Sequence, residues 1–168
     1  LALVAASSLA SAQSNGISSA ARSVWRRSIV VDCNIGPQIS SDQFPMARAD
    51  LDAVRASGVS AIKNSIGGFN ASFEDTVGEL AFYQRIVEAH PDVFMQIRAA
   101  ADFAIAKRTN RMGIVFGFES ATALADKLDN ITMFRWLGVR VMQLSYNLTS
   151  PFGAGVLAPA DATLTELG

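Results

Sequence analysis

The sequence has one cysteine, one histidine and almost no net charge, and each of these scarcities excludes a class of function. Cys33 alone cannot form an intrachain disulfide, and it cannot make a CxxC metal or redox motif. A formal net charge of −1, with lysine and arginine scattered along the chain, provides no basic surface for nucleic acid. We therefore expect no nucleic-acid partner.

The scarcity of histidine also argues against a nucleophilic mechanism. Ser120, Ser145 and Cys33 have no neighbouring histidine in the sequence to act as their base. His90 precedes Pro91 at the predicted C-terminus of a helix, where an imidazole interacts favourably with the helix dipole. Cys33 lies near a predicted strand end, which is typical of a buried small residue.

The chain does contain enough hydrophobic sequence for one domain, since half of its 168 residues are hydrophobic. Residues 1–10 form an apolar run, and Ala10-Ser11-Ala12 fits an A-x-A cleavage site. We interpret residues 1–12 as a signal peptide remnant, in preference to a folded apolar segment, and expect a periplasmic or secreted protein. The run is shorter than the roughly 20 apolar residues that cross a bilayer, so no membrane span is expected.

From residue 13 onward, helical and strand patterns alternate. Strands are predicted to begin near residues 29, 59, 93, 112 and 139, and helices are predicted over residues 18–27, 47–57, 72–90, 99–107 and 130–137. Gly58 and Gly138 stand where a left-handed residue ends a helix, and Ser72 with Asp75 resembles a capping box. Ile131, Phe134 and Leu137 are expected to face inward.

The clearest strand pattern, residues 112–118, has no charge and no alternation, which indicates a strand covered on both faces of a parallel sheet. Successive βα units of this kind predict an α/β fold, either a doubly wound sheet or a TIM-type barrel. Neither a GxGxxG motif after the first strand nor a GxxxxGK[ST] motif is present, which disfavours nucleotide-binding versions of these folds.

Both folds bind ligands beyond the carboxyl ends of their strands. The polar residues predicted there are Asp32, Asn34, Lys63, Asn64, Glu119, Tyr146 and Asn147. Glu119 directly follows the apolar strand, so its carboxylate lies at the edge of a core where an unpaired charge is costly. A metal ion or another cation would be a suitable partner, and a salt bridge to Arg140 or Lys63 is an equally good account.

Several segments, in order along the chain, resemble the membrane (renal) dipeptidases of peptidase family M19. They are Val31-Asp32-Cys33-Asn34, Gly67-Gly68-Phe69, Gly117-Phe118-Glu119-Ser120, the run Leu137-Gly138-Val139-Arg140-Val141-Met142-Gln143-Leu144-Ser145-Tyr146-Asn147, and Leu164-Thr165-Glu166-Leu167-Gly168. The resemblance covers roughly residues 20–168. It implies an incomplete TIM-type (β/α) barrel of about the first five βα units, in which residues 13–168 are the N-terminal portion of a catalytic domain.

This family consists of zinc-dependent dipeptide hydrolases, and the resemblance implies which residues act. Glu119 matches a carboxylate that bridges two zinc ions, so it would bind metal and help to hold the attacking water. Asn34 and Gly36 occupy the places of a zinc-binding His and Asp, and Asn34 would orient water or substrate. Tyr146 replaces a substrate-contacting His and would contact the substrate carbonyl. The family's two other zinc-binding histidines fall beyond Gly168, so one or two zinc ions are expected only in the full-length protein.

The leading hypothesis is therefore a zinc metallohydrolase that cleaves dipeptide-like substrates with a zinc-activated water. An alternative is an exported barrel homologue with lost or altered catalysis that acts as a small-molecule binding protein. A third hypothesis is a plain α/β ligand-binding domain without hydrolase ancestry. The resemblance leaves a homodimer of the full-length form open, and we expect a chain of about five barrel strands to be inactive alone because its sheet edges are unpaired.

Overall fold

The computed structural model describes residues 16–34, 44–68 and 70–168, and the expectations for residues 1–12 and for Gly36 fall outside these ranges. Helices and strands alternate along the chain. The elements are α1 (Ser19–Arg27), β1 (Val31–Asp32), α2 (Arg48–Ser57), β2 (Ala61–Ile66), α3 (Phe73–Ala89), β3 (Phe94–Gln96), α4 (Ala100–Arg108), β4 (Met112–Phe118), the 3-10 helix Ala121–Leu124, α5 (Asp129–Leu137) and β5 (Val139–Met142).

Local sequence determines several helix ends. The side chains of Ser18 and Ser72 each accept a hydrogen bond of 3.1 Å from the backbone N–H three residues later, so they are the N-caps of α1 and α3. Gly58 and Gly138 end α2 and α5 with φ values of 70° and 104°, the left-handed conformation that glycine adopts without steric cost. The predicted ends of these helices are confirmed.

All five strands pair in parallel, as the βα pattern predicted. β2 lies between β1 and β4, and the other edge of β4 is shared by two strands. β3 pairs with the first part of β4 from Met112, and β5 pairs with its last part from Phe116. The order in the sheet departs from the order in the chain because β2 pairs with β4 along its whole length, so β3 lies on the other edge of β4. That edge has room for both β3 and β5 because both are short.

The end of β3 meets the start of β5 at a tight junction. A side chain at Gly138 would collide with the amide of Gln96, so this position requires glycine for space as well as for its φ. A β-bulge follows, between the partners of Phe116 and Gly117, and Arg140 is the extra residue of the bulge. The bulge turns the Arg140 side chain towards carbonyl groups at the end of α5 and after β3.

One face of the sheet is covered by helices α2, α3 and α5, and we call it the helix-covered face. Alternate residues of β2 and β4 supply its apolar side chains, and the helices supply the rest. Its central members are Ile62, Ile66, Ile114, Phe116, Phe118, Leu80, Ile86, Phe134 and Leu51, all of them buried. The main hydrophobic core of the described residues lies here.

The opposite face carries the other residues of the same strands, and we call it the cleft face. It presents Ala61, Lys63 and Ser65 from β2 with Val115 and Gly117 from β4. Helix α4 covers the part of this face nearer the amino ends of the strands. Its residues Phe103 and Ala106 form a smaller second core with Ala61, Val115, Ile97 and Met95. The part of this face nearer the carboxyl ends of the strands is left open.

Two details differ from the sequence-based expectation. β2 continues to Ile66, so Lys63 and Asn64 lie within the strand rather than beyond its end. Asn64 is buried on the helix-covered face, beside Tyr83, and therefore takes no part in the open side of the sheet. Ile131 is 42% exposed rather than inward-facing, whereas Phe134 on the same helix is fully buried.

In the described part of the chain, no helix combines the length and apolarity that a membrane crossing requires.

Candidate active site

A cleft of about 490 Å³ opens on the cleft face at the carboxyl ends of β1, β2, β4 and β5. Its apolar lining comes from Val31, Phe103, Val115, Phe118 and Val141. Its polar lining comes from Cys33, Asn34, Lys63, Glu119, Gln143 and Tyr146. The three residues that the sequence singled out, Asn34, Glu119 and Tyr146, are thus brought to one cavity from positions far apart in the chain.

Glu119 projects into this cleft because it continues the inward-facing alternation of β4, two residues after Gly117. It is partly exposed, and the buried Ser120 that follows it begins the turn into the 3-10 helix. Among the described residues, no hydrogen bond or ion pair within 4.0 Å engages its carboxylate. The carboxylate therefore presents its oxygen atoms to the cavity.

The salt bridge to Arg140 considered from the sequence is not formed. The Arg140 guanidinium donates to the carbonyl oxygens of Arg98 at 2.7 Å, Arg135 at 2.8 Å and Val139 at 2.8 Å. This side chain links the bulge of β5 to the end of α5 and to the segment after β3. Its guanidinium therefore lies against backbone carbonyl groups and makes no contact with Glu119. Within the described ranges, no ion pair joins Lys63 to Glu119 either.

Lys63 is instead part of a small network with Asn34 and Ser65. Its Nζ donates to the Ser65 Oγ at 3.0 Å and, more weakly, to the Asn34 Oδ1 at 3.5 Å. The Ser65 hydroxyl donates to the same Asn34 oxygen at 3.2 Å. The Asn34 backbone N–H donates to Asp32 Oδ1 at 3.0 Å, which holds the turn after β1. Both partners of the ammonium are neutral.

Gly117 makes room for the Lys63 side chain. A Cβ at Gly117 would lie 2.7 Å from the Cε of Lys63 and 3.2 Å from the Cβ of Val141. The aliphatic stem of Lys63 therefore crosses the glycine surface of β4 and brings the ammonium from the middle of the sheet up to the level of Ser65. A larger residue at position 117 would displace it.

Tyr146 lies on the loop after β5, and a hydroxyl network supports that loop. The Oγ atoms of Ser145 and Ser150 are 2.8 Å apart and contact the carbonyl oxygens of Gly153 and Leu144 at 2.7 Å and 2.8 Å. The Tyr146 carbonyl accepts a hydrogen bond of 2.8 Å from a backbone N–H further along the same loop. Ser145 therefore has a structural role here, in agreement with its lack of a catalytic base.

One expectation about an individual residue of the cleft needs correction. Cys33 is exposed and lines the cleft, whereas its position had indicated a buried small residue. The turn that begins at Asp32 and closes at the Asn34 N–H ends β1 after two residues, which leaves the cysteine at the rim. Lys63, which the sequence placed among the polar residues at the strand ends, also lines the cleft, and so does Gln143, which was not among them. Gln143 follows β5 directly, and a polar residue just after a predicted strand is the sequence signal that could have indicated it.

The described residues supply part of a metal site but not a whole one. Within them, no three His, Cys, Asp or Glu side chains lie close enough together to hold a metal ion. Zinc takes about four nitrogen, sulfur or oxygen ligands. Of the four residue types His, Cys, Asp and Glu, the described cleft lining contains Glu119 and Cys33, and a protonated Lys63 ammonium cannot act as a ligand.

A sequence profile of the membrane dipeptidase family (peptidase family M19) matches residues 18–168, which is most of the chain. Among curated proteins, none matches the chain. The profile match agrees with the resemblance found in the sequence segments, and it includes all of the residues that line the cleft.

Solved structures share the fold at low sequence identity. An amidohydrolase from Pseudomonas aeruginosa has a TM-score of 0.75 at 24% identity, over 88% of this chain and 42% of its own. A metallopeptidase from Rhodobacter sphaeroides, solved with a phosphinate mimic of the dipeptide L-Ala-D-Ala, has a TM-score of 0.68 at 16% identity, over 83% and 53%. A dipeptidase described as a metallopeptidase of family M19 has a TM-score of 0.67 at 16% identity, over 83% and 51%.

These likenesses confirm the predicted fold class, an incomplete TIM-type α/β barrel with a parallel sheet. The chain spans about half the length, or less, of the solved structures that it matches.

Proposed function

The chain belongs to the membrane dipeptidase family, peptidase family M19, and from this premise we propose that it is the N-terminal part of a metal-dependent hydrolase that cleaves dipeptides. The observation that carries the proposal is Glu119, whose carboxylate faces a cleft of about 490 Å³ and is free of ion pairs among the described residues. A carboxylate at the carboxyl end of a barrel strand is positioned for chemistry, whereas one that only stabilised the fold would be paired.

The roles proposed for the chain's own residues follow from their places in the cleft. Glu119 holds the attacking water and accepts its proton, because its carboxylate has free lone pairs towards the cavity. Tyr146, 39% exposed on the adjacent loop, donates its hydroxyl to the substrate carbonyl. Asn34 orients the substrate through its amide, whose oxygen already accepts from Lys63 and Ser65.

We propose zinc as the metal, with Glu119 as one of its ligands and the remaining ligands contributed from outside the described residues. A bound zinc ion lowers the pKa of its water towards about 7 and polarises a substrate carbonyl. The membership in the membrane dipeptidase family supports the assignment, and so does the carboxylate that Glu119 presents to the cleft.

The substrate class is proposed to be a dipeptide with a free C-terminus. The Rhodobacter metallopeptidase, which shares the fold, binds a phosphinate mimic of L-Ala-D-Ala. The cleft here is of a size that holds a small molecule, and it combines an apolar floor with a polar rim, as small-molecule sites do.

The test uses the full-length protein, dialysed and then assayed for zinc content and for hydrolysis of L-Ala-D-Ala. We expect close to one zinc or more per chain, and a loss of at least about a hundredfold in kcat/KM for Glu119→Gln. Glu88→Gln, which alters an exposed carboxylate on α3, is the matched control and should leave hydrolysis unchanged. Less than about half a zinc per chain, with no hydrolysis after zinc is added, would overturn the proposal and favour the non-catalytic binding homologue.

We also propose that the protein is exported, on the basis of the apolar run and the A-x-A site in residues 1–12. N-terminal sequencing of the mature protein from the producing cell should find Gln13 as its first residue. A mature protein that retains residues 1–12 and is found in the cytoplasm would contradict the proposal.

A further inference from the structure

Gln143 lies where β5 meets the loop that carries Tyr146. It directly follows the last residue of β5, and it lines the cleft together with Glu119 and Tyr146. The roles proposed above use Glu119 and Tyr146 and give Gln143 none. Its hydrogen bonds nevertheless reach the backbone next to each of those two residues.

The backbone of Gln143 is bonded to the peptide group that precedes Glu119. Its N–H donates to the Phe118 carbonyl oxygen at 3.1 Å, and this carbonyl belongs to the peptide group that joins Phe118 to Glu119. A second bond of 3.2 Å, from the Ala121 N–H to the Leu144 carbonyl, joins the same two segments on the other side of Glu119. Because a peptide group is planar, these bonds hold the backbone from which the Glu119 side chain projects.

The side chain of Gln143 is bonded to the peptide group that precedes Tyr146. Its Nε2 donates to the Ser145 carbonyl oxygen at 2.7 Å, and this carbonyl belongs to the peptide group that joins Ser145 to Tyr146. The next peptide group is held as well, since the Tyr146 carbonyl accepts a bond of 2.8 Å from the Val156 N–H. With both flanking peptide planes held, the Cα–Cβ bond of Tyr146 has a defined direction, and its side-chain torsions are the freedom that remains.

One residue thus connects the backbone of the proposed proton acceptor to the backbone of the proposed hydroxyl donor. The backbone N–H of Gln143 serves Glu119, and its side-chain amide serves Tyr146. The second bond requires an N–H donor, which a hydrocarbon or carboxylate side chain of similar length does not have. The separation of two reacting groups matters because a misplacement of about 1 Å can cost about a hundredfold in rate.

We propose that Gln143 is a positioning residue of this site, which sets the Tyr146 hydroxyl relative to the Glu119 carboxylate and affects the reaction through Tyr146. This inference rests on the proposed function, because it takes Tyr146 to contact the substrate carbonyl. Negative charge develops on that carbonyl oxygen during hydrolysis, so a displaced hydroxyl stabilises the transition state less while the substrate still binds. Loss of the Gln143 amide therefore lowers kcat and leaves KM nearly unchanged.

The test is a double-mutant cycle on the full-length protein, measured by steady-state hydrolysis of L-Ala-D-Ala. Gln143→Leu removes the donor and keeps the backbone bond to Phe118, so Glu119 stays in place. We expect kcat to fall by about tenfold to a hundredfold and KM to change by less than about threefold. In a Tyr146→Phe background, the same substitution should lower kcat by less than about threefold, because the hydroxyl that it displaces is already absent.

Gln84→Leu is the matched control for this substitution. The Gln84 Nε2 also donates to a backbone carbonyl, that of Leu137 at 3.0 Å, but this bond joins α3 to the end of α5 and lies outside the cleft. It should leave kcat and KM unchanged. Gln143→Glu keeps the length of the side chain without its N–H donor, so it should reproduce the kinetic effect of Gln143→Leu. Gln143 is exposed, so both of its variants are expected to fold.

A second measurement does not depend on hydrolysis. Fluorotyrosine is incorporated into the full-length protein, and the fluorine NMR resonance that disappears in Tyr146→Phe is assigned to Tyr146. We expect Gln143→Leu to shift or broaden this resonance, because the ring is no longer held in one position. Gln84→Leu should leave it unchanged.

The two measurements separate this inference from the proposed function. If Gln143→Leu leaves kcat unchanged, or lowers it as strongly in the Tyr146→Phe background as in wild type, then Gln143 does not act through Tyr146 and the inference is wrong, although the hydrolase assignment stands. If the full-length protein hydrolyses no dipeptide with zinc, the proposed function fails. The placement of Tyr146 by Gln143 is then upheld by a resonance that moves in Gln143→Leu and not in Gln84→Leu, and refuted by one that does not move.

Discussion

The two faces of the same parallel sheet differ in almost every physical property. On the helix-covered face, β4 presents Ile114, Phe116 and Phe118, which are at most 1% exposed beneath three helices. On the cleft face, the alternate residues of β4 include Gly117, and Glu119 directly after the strand lines the cleft. Because side chains alternate along a strand, one seven-residue segment serves both faces.

The difference shows where stability and chemistry are located. Large apolar side chains on the helix-covered face exclude water and contribute most of the burial energy. On the cleft face, Gly117 leaves room for the Lys63 side chain to lie along the surface of β4, and the open part of this face leaves room for a ligand. Substitutions on the first face should therefore change the free energy of unfolding, and substitutions on the second should change binding.

The largest expected effect is on the helix-covered face. Phe116→Ala removes a fully buried ring, so we expect the free energy of unfolding of the full-length protein to fall by about 3–5 kcal/mol in urea denaturation. Phe103→Ala removes a ring of the same size from α4 on the cleft face, where it is only partly buried. It should cost less than half as much, and equal losses would contradict the division between the two faces.

A smaller effect is expected where a side chain is added to the cleft face. Gly117→Ala places a methyl group against the stem of Lys63, which can swing aside at little cost in stability but then loses its position. Because the Lys63 ammonium contacts Asn34, which is proposed to orient the substrate, we expect KM for L-Ala-D-Ala hydrolysis by the full-length protein to rise about tenfold, equivalent to about 1.4 kcal/mol. The measurement is the steady-state rate of L-Ala-D-Ala hydrolysis at varied substrate concentration.

Gly78→Ala is the matched control for that substitution. Gly78 lies in α3, and an added Cβ there would have no neighbour within 4 Å. Alanine favours the helix over glycine by about 0.5–1 kcal/mol, so this variant should be more stable than wild type and should bind ligands unchanged. A change in KM for this variant would show that the Gly117 effect is not specific.

Removal of the N-cap of α3 should destabilise the helix-covered face by less than the loss of a buried ring. Ser72→Ala removes the side-chain acceptor from the first turn of a helix that buries Leu80, Tyr83 and Ile86, and it should lower the unfolding free energy by about 1 kcal/mol. Ser18→Ala removes the same kind of bond from α1, which buries no residue. Its global effect should be smaller, and a similar loss at both caps would mean that α1 is as tightly coupled to the core as α3.

The smallest expected effect appears only at alkaline pH. Burial raises the pKa of Tyr83 above its ordinary value of 10.0, partly offset by a hydrogen bond with Asn64. Above about pH 10 the unfolded chain releases a proton that the folded chain keeps, so the unfolding free energy should fall as pH rises towards the folded-state pKa. In Tyr83→Phe this contribution is absent, and parallel pH dependences in the two proteins would contradict the assignment.

Some features of the fold could be predicted from the sequence because they depend on neighbours in the chain. The left-handed glycines at 58 and 138, the Ser72 cap and the uncharged strand 112–118 all follow from local conformational preference. The position of Glu119 at a strand end follows from the same local reading, and its placement in a cleft with Asn34 and Tyr146 was expected from the general rule for parallel sheets.

Other features depend on segments that are distant in the chain. The sharing of one edge of β4 by β3 and β5 requires the lengths and registers of three strands together. The real extent of β2, which places Lys63 inside the strand, is set by its pairing with β4 and not by its own hydrophobic pattern. Arg140 could not be assigned to carbonyl groups until the bulge was known.

The sequence by itself determined that this is a parallel α/β chain of the membrane dipeptidase type with a carboxylate at the end of its central strand, because periodicity, caps and motif segments are local. Only the tertiary structure decided that this carboxylate stands apart from Arg140 and shares its cleft with a lysine. The reason is that an ion pair depends on the relative placement of strands whose pairing partners, register and bulges are chosen by packing across the whole sheet.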